Sequence, residues 1–120
     1  MNLFSLGAIL GFIGVAAGAF GAHALKGRLS PELLTVFETG ARYQLYHSLA
    51  LLAAGLGQAR CPSPLWSWAG ALFGVGVLLF SGSLYLLALT GVRWLGAITP
   101  FGGLALLAAW LLLAIAALRL

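Results

Sequence analysis

Residues 3–25 read LFSLGAILGFIGVAAGAFGAHAL, a run without Asp, Glu, Lys or Arg. A helix needs roughly 20 apolar residues to cross the ~30 Å hydrocarbon core of a bilayer, so this run is long enough. Its glycines are alternately four and three residues apart, which places them on one stripe of a helix. In lipid such small residues let two helices approach closely. The run therefore predicts a first transmembrane helix with a packing face made of Gly7, Gly11, Gly14, Gly18 and Gly21.

The whole chain shares the composition of this run. Of its 120 residues, 62% are apolar and 7% are charged, whereas about a quarter are charged in an ordinary soluble domain. The basic residues lie between or after apolar runs, a pattern that suits lipid head groups better than nucleic acid. We therefore predict one helical domain over residues 1–120, integral to a membrane, with the lipid bilayer as a partner and no nucleic acid.

A second helix is predicted to begin at Ser30-Pro31-Glu32. Serine is a good N-cap, proline suits the first helical position, and the helix dipole favours an acid in the first turn. Residues 31–42 are amphipathic, so we expect this part to lie in the membrane interface. The more apolar residues 43–57 are predicted to form the second span.

Two more spans follow after clear helix breaks. A pair of prolines ends the second helix, and Trp66 and Trp68 then mark an entry at head-group level. The third span contains Gly70 and Gly74, whose spacing predicts close packing against another helix. Pro100 opens the fourth span. The predicted fold is an all-α, antiparallel bundle of four transmembrane helices with an amphipathic N-terminal extension on helix 2, the spans being about 3–25, 43–57, 65–89 and 100–118.

The basic residues also suggest an orientation. One end of the predicted bundle carries Arg60 and Arg119, and the other carries Lys26, Arg28, Arg42 and Arg93. The positive-inside rule then favours a multi-pass protein of the plasma (inner) membrane with loops 1–2 and 3–4 in the cytoplasm. No secretory signal is predicted, because no basic residue precedes the first apolar run and the run exceeds a signal core of about 7 to 15 residues.

Polar side chains inside the spans are the candidates for a site, because such groups are costly in lipid. Consecutive spans run in opposite directions, and His23 and His47 each lie about one turn from the shared end. We therefore expect the two histidines at similar depth, as neighbours across the helix pair. The candidate residues are His23, Arg42, Tyr43, Gln44, His47, Ser81 and Tyr85.

Three interpretations of these residues are open. They could form a hydrogen-bonded clamp between helices, since polar contacts are common in bundles. They could line a pocket for a quinone, a lipid or a small anion, with Arg42 or Lys26 as the charged partner. Finally, His23 and His47 could ligate haem or a transition metal, although no other strong ligand is near.

Catalysis is not predicted. The chain has no aspartate, and its glutamates, Glu32 and Glu38, precede the second span. No carboxylate is then available inside a span to orient a histidine, relay protons or hold a hard metal ion. The sequence predicts a protein that is not an enzyme and holds neither a cofactor nor a metal.

Four motifs together carry a family resemblance. They are residues 18–23 (GAFGAH), 39–50 (TGARYQLYHSLA), 79–85 (LFSGSLY) and 99–103 (TPFGG). The chain resembles the small four-span membrane family catalogued as domain of unknown function 423, whose animal relatives are called transmembrane protein 256. The resemblance implies a fold class and a membrane location but no reaction or ligand, and it adds Ser83 to the motif positions. Leu106 and Ala109 stand where phenylalanine and glycine are expected.

The predicted function is that of a non-enzymatic structural, assembly or accessory membrane protein. A homo-oligomer or a membrane-protein partner is compatible with the glycine packing faces. The alternative is binding or transport of a small ligand in a polar cavity around His23 and His47, and bis-histidine haem or metal binding comes third.

Overall fold

The computed structural model describes residues 2–120, and for Ala22 it describes only the backbone. All regular elements of this range are helical. They are α1 (Leu3–Ala24), α2 (Pro31–Arg60), α3 (Pro64–Thr90), a short 3-10 helix (Arg93–Ala97) and α4 (Thr99–Ala117).

Side-chain caps set where the first three helices begin. Asn2 accepts a hydrogen bond from the amide of Ser5 at 2.7 Å, and Ser30 accepts one from the amide of Leu33 at 3.2 Å. Ser63 caps α3 in the same way. Each cap satisfies an amide that the helix itself leaves without a partner. The start of α2 at Pro31 is the one that the Ser-Pro-Glu pattern predicts.

Helix α2 is a single 30-residue helix, about 45 Å long at ~1.5 Å per residue. It lies between α1 and α3. Its first turns, expected from the sequence in the membrane interface, bury Phe37, Gly40 and Ala41 against the neighbouring helices. One face of segment 31–42 is thus packed inside the protein, while Pro31, Glu32, Thr35 and Arg42 are exposed.

Helix α1 packs along α2 through its glycines. Later glycines of α1 face earlier residues of α2. Gly7 faces Ser48 and Leu51, and Gly21 faces the ring of Phe37. A Cβ atom at Gly7 would lie only 2.8 Å from the Ser48 carbonyl oxygen. This contact depends on the missing side chain of glycine, because the two backbones could not otherwise come so close.

Helix α3 joins α2 to α4. Its Trp66 ring covers Gly57 of α2, and its Tyr85 ring covers Gly40. On its other side, Leu106 of α4 covers Gly76. The main core cluster lies where α2, α3 and α4 meet, and its members are Ala50, Leu51, Ala69, Phe73, Val77, Leu106 and Ala109. Both departures from the family pattern, Leu106 and Ala109, are therefore buried.

Three helical stretches of the described chain are long and apolar enough to cross a membrane: Leu3–Gly21, Pro64–Thr90 and Arg93–Ala117, each with a mean hydropathy of 2.1. Helix α2 is the exception. It carries Gln44, His47 and Ser48, and all three side chains are buried between helices. Its polarity is directed into the protein, while large apolar side chains such as Phe12 and Leu78 are exposed on α1 and α3.

Candidate functional site

Gln44 is the centre of the polar cluster. Its side chain is only 3% exposed, and both of its polar atoms are bonded to other helices. The amide nitrogen Nε2 donates to the carbonyl oxygen of Leu10 in α1 at 2.8 Å. The oxygen Oε1 accepts a hydrogen bond from the Tyr85 hydroxyl of α3 at 2.7 Å. One side chain of α2 therefore holds α1 and α3 at the same level.

Ser81 makes a second link between α2 and α3. Its hydroxyl is buried and donates to the carbonyl oxygen of Gly40 at 2.7 Å. Gly40 can approach because it has no side chain: a Cβ there would lie 2.9 Å from Cε1 of the Tyr85 ring. The Tyr85 ring also packs on Phe37, with 4.9 Å between ring centroids. Gln44 and Tyr85 bond to each other, and Ser81 bonds to the α2 backbone nearby; we name these three residues the Gln44 cluster.

His47 lies beside this cluster, in an aromatic environment. The ring is 5% exposed and packs against Tyr43, Phe73 and Trp110, with centroid distances of 6.0, 5.7 and 6.0 Å. Its Nδ1 atom hydrogen-bonds to the carbonyl oxygen of Tyr43. A carbonyl can only accept, so Nδ1 donates and carries a proton. The contact with Trp110 brings α4 to α2.

His23 is not a neighbour of His47, and this prediction from the sequence was wrong. Gly21 faces Phe37, while Gly11 faces Ser48, next to His47. From position 11 to position 23, α1 rises by about 18 Å at ~1.5 Å per residue. The loop between the helices is short, so α2 packs on α1 from its first turns, which the sequence had predicted to lie in the membrane interface. The His23 side chain is exposed.

The remaining predicted residues are divided between surface and interior. Arg42 is exposed, and Tyr43 is 37% exposed. Tyr43 stacks on Phe80 with 4.7 Å between centroids. The structure thus brings together Gln44, Ser81 and Tyr85, places His47 and Tyr43 beside them, and separates His23 and Arg42 from the group.

The candidate site residues did not include two contributors to the polar interior, although Ser83 is one of the motif positions. The hydroxyls of Ser83 and Thr99 are 2.6 Å apart, which links α3 to α4. Trp110 closes the aromatic group around His47. Both had a signal in the sequence: Ser83 is a polar residue inside an apolar span, and Trp110 is a tryptophan far from either end of its predicted span, where an interfacial anchor is not expected.

The chemistry of this interior is hydrogen bonding between helices. Every buried side-chain nitrogen and oxygen of the described residues has a hydrogen-bond partner within the protein. Over residues 2–120, no three His, Cys, Asp or Glu side chains are grouped as they would be around a metal ion. The Gln44 cluster therefore uses its polar atoms to join α1, α2 and α3.

Two cavities lie away from the Gln44 cluster. A groove of about 1160 Å³ runs between the start of α1, the end of α2 and α3, with Gln58 and Ser67 at its walls and Gly70 and Gly74 along α3. A smaller cavity of about 360 Å³ lies where α2 begins and α3 ends. Residues of the Gln44 cluster line neither of these cavities.

These features define a class: a small helical membrane protein whose internal polar side chains link its helices. The chain belongs to the family described as protein of unknown function (DUF423), whose model matches residues 17–103. This confirms the family predicted from the four motifs.

Curated relatives match over nearly the whole chain. A UPF0382 membrane protein of Staphylococcus haemolyticus is 48% identical over 99% of this chain and 98% of its own length. The UPF0382 membrane protein YwdK of Bacillus subtilis is 43% identical over 95% and 94%. The UPF0382 inner membrane protein YgdD of Escherichia coli is 42% identical over 94% and 86%. No solved structure gives a significant match. The relatives' names support a membrane protein.

Proposed function

We propose that this chain is a multi-pass membrane protein with four spans and a non-enzymatic structural, assembly or accessory role. The observation that supports this role is Gln44, whose two polar side-chain atoms bond to α1 and to α3. In lipid, packing and interhelical hydrogen bonds replace the hydrophobic effect as the forces that hold helices together. A side chain used fully in this way is a structural element.

The fourth span in this proposal is α2. It packs along α1 and α3, and both of these contain candidate spans. Short connections join α2 to each of them. If α2 lay outside the membrane, α1 and α3 could not both stay packed along it and remain in the bilayer. The charges of the loops favour loops 1–2 and 3–4 in the cytoplasm. The proposed arrangement is an antiparallel bundle in the inner membrane.

The exposed apolar faces supply the surface for partners. Phe12 is 77% exposed and Phe101 is 68% exposed, on α1 and α4 respectively. In a bilayer these side chains face lipid, a second copy of the chain or another membrane protein. An accessory role would use such a face, while the Gln44 cluster keeps the helices fixed behind it.

Replacing Gln44 tests the proposal. In Gln44→Leu the Tyr85 hydroxyl loses its partner and the Leu10 carbonyl loses its bond to α2, so we expect the free energy of unfolding to fall by about 1–3 kcal/mol. The matched control is Gln58→Leu, because among residues 2–120 Gln58 bonds only to Ser67, at 3.2 Å and in an exposed position. That variant should change stability by less than ~0.5 kcal/mol. Unfolding by SDS in mixed micelles, followed by tryptophan fluorescence, gives both values.

The same protein preparations also test the alternative function, a small-ligand site. A structural cluster predicts that native mass spectra of the wild-type protein and of Gln44→Leu show the same bound species. If a bound molecule is found and is lost in Gln44→Leu while stability is retained, the cluster is a ligand site and the structural proposal fails. Equal stability of the two glutamine variants would also contradict it.

A further inference from the structure

The smaller cavity combines two opposite charges with an apolar wall. It has a volume of about 360 Å³ and is lined by residues from the first two turns of α2, the last turn of α3 and the start of the 3-10 helix. Glu32 and Arg93 supply the charges, and Leu33, Val36 and Leu87 supply the apolar wall. Its volume is within the range of small-molecule sites, about 300–1,000 Å³.

Glu32 and Arg93 both keep their hydrogen-bonding groups available. Both side chains are exposed, and within residues 2–120 no lysine or arginine nitrogen lies within 4.0 Å of a carboxylate oxygen. Glu32 therefore offers a carboxylate that only accepts, and Arg93 offers a planar guanidinium that only donates. A ligand that satisfies both needs a hydrogen-bond donor for Glu32 and an anion for Arg93, and an N–H cation makes the stronger, charge-assisted bond to the carboxylate.

We propose that this cavity binds the head group of a zwitterionic phospholipid whose cation is a primary ammonium, that is, a phosphoethanolamine diester. The phosphate pairs with Arg93, since guanidinium matches phosphate oxygens in a bidentate manner. The ammonium donates to the carboxylate of Glu32. The glycerol end and the first acyl carbons contact Leu87 and the neighbouring apolar wall. The proposal requires only a membrane location and does not depend on the structural role of the Gln44 cluster.

The cavity wall also explains which head groups are disfavoured. Among the described residues, none that lines the cavity is aromatic, and recognition of a quaternary ammonium relies on aromatic rings. Phosphocholine, which has no N–H donor for Glu32, should therefore bind less well. Phosphoglycerol has no cation, so its hydroxyls give Glu32 a hydrogen bond without an opposite charge, and it should bind less well.

Lipid binding to the detergent-solubilised full chain tests this assignment. Dioleoyl phosphatidylethanolamine, phosphatidylcholine and phosphatidylglycerol are added separately, and adducts are counted by native mass spectrometry. We expect the ethanolamine lipid to bind at least tenfold more tightly than the other two. Glu32→Gln and Arg93→Gln should each remove at least that factor, equal to about 1.4 kcal/mol. The matched controls Glu38→Gln and Arg42→Gln remove the same charges from α2 outside the cavity and should bind as wild type does.

A charge exchange separates head-group binding from a simple ion pair. If the single variants lost lipid binding only because Glu32 and Arg93 no longer paired with each other, the double variant E32R/R93E would restore that binding. With the two charges exchanged, a bound head group would have to reverse its direction while its acyl chains stay in place. We therefore expect that the double variant does not restore lipid binding. Thermal unfolding in lipid-free detergent verifies that the variants are folded, as expected for two exposed side chains.

Three results would overturn the proposal. The first is equal binding of the three lipids. The second is loss of binding in the Glu38 and Arg42 controls, or recovery in the charge exchange. The third is displacement of the lipid by soluble glycerophosphoethanolamine at a concentration equal to that of the lipid, because the free head group would then be the ligand instead of a bilayer phospholipid.

Discussion

Substitution of one glycine in the adjacent pair Gly102 and Gly103 should destabilise the protein, and substitution of the other should not. A Cβ at Gly102 would lie 2.8 Å from the Cα of Phe80 and closer still to the Phe80 amide nitrogen. Ordinary contacts of a Cβ are 3.4–4 Å, so α3 and α4 would have to separate by at least about 0.6 Å. A Cβ at Gly103 would meet only the Phe80 ring, at 3.9 Å.

The expected values follow from that difference. Overpacking against a backbone that cannot rotate away costs typically about 1–3 kcal/mol. Replacing glycine with alanine also reduces the entropy of the unfolded chain, which stabilises by about 0.4–1 kcal/mol where there is room. We therefore expect Gly102→Ala to lower the free energy of unfolding by about 1–2 kcal/mol net, and Gly103→Ala to leave it unchanged or raise it by less than ~1 kcal/mol.

The assay is SDS-induced unfolding in micelles, followed by tryptophan fluorescence, to which all four tryptophans of the chain contribute. The two variants add the same methyl group at adjacent positions, so their compositions are identical and effects on expression are matched. If Gly102→Ala is as stable as Gly103→Ala, the close approach of α3 and α4 at Phe80 does not exist as described, and the reasoning about this helix pair is refuted.

Two further predictions concern helix contacts. Gly7→Ala should destabilise the protein by about 1–3 kcal/mol, because its Cβ would meet the Ser48 carbonyl. Gly18→Ala should be neutral, because its Cβ would lie 4.0 Å from its nearest neighbour. Equal stabilities of the two variants in SDS unfolding would contradict the register of α1 on α2. Ser83→Ala removes the 2.6 Å contact with Thr99. It should lower the free energy of unfolding by about 0.6 kcal/mol and at most ~1.7 kcal/mol. A double-mutant cycle that includes Thr99→Val measures the coupling energy, and a coupling of zero would show that the two hydroxyls do not bond.

Several features could be predicted from local sequence. The N-cap at Ser30 and the helix start at Pro31 depend on groups within one turn, so the Ser-Pro-Glu pattern was sufficient for the start of α2. The membrane class followed from composition, because a chain with 7% charged residues cannot cover itself with a polar surface. The four motifs were enough to predict the family, which the matched model confirms.

Other features could not be read from spacing. His23 and His47 were expected to be neighbours because each lies near a predicted span end, but the register of α1 on α2 separates them. That register results from the sum of many contacts, such as Gly7 against Ser48 and Gly21 against Phe37. No single residue encodes it, so a shift of several turns is invisible to a reading of one helix at a time.

The sequence by itself thus determined the class of molecule, the beginnings of its helices and the residues with small or polar side chains. The tertiary structure decided what those residues do. It placed Gly7 and Gly102 against neighbouring backbone while leaving room at Gly18 and Gly103, and it joined Gln44 to Leu10 and Tyr85. The physical reason is that composition and capping are local properties, whereas a contact between helices exists only after the distances between all of their backbones have been set.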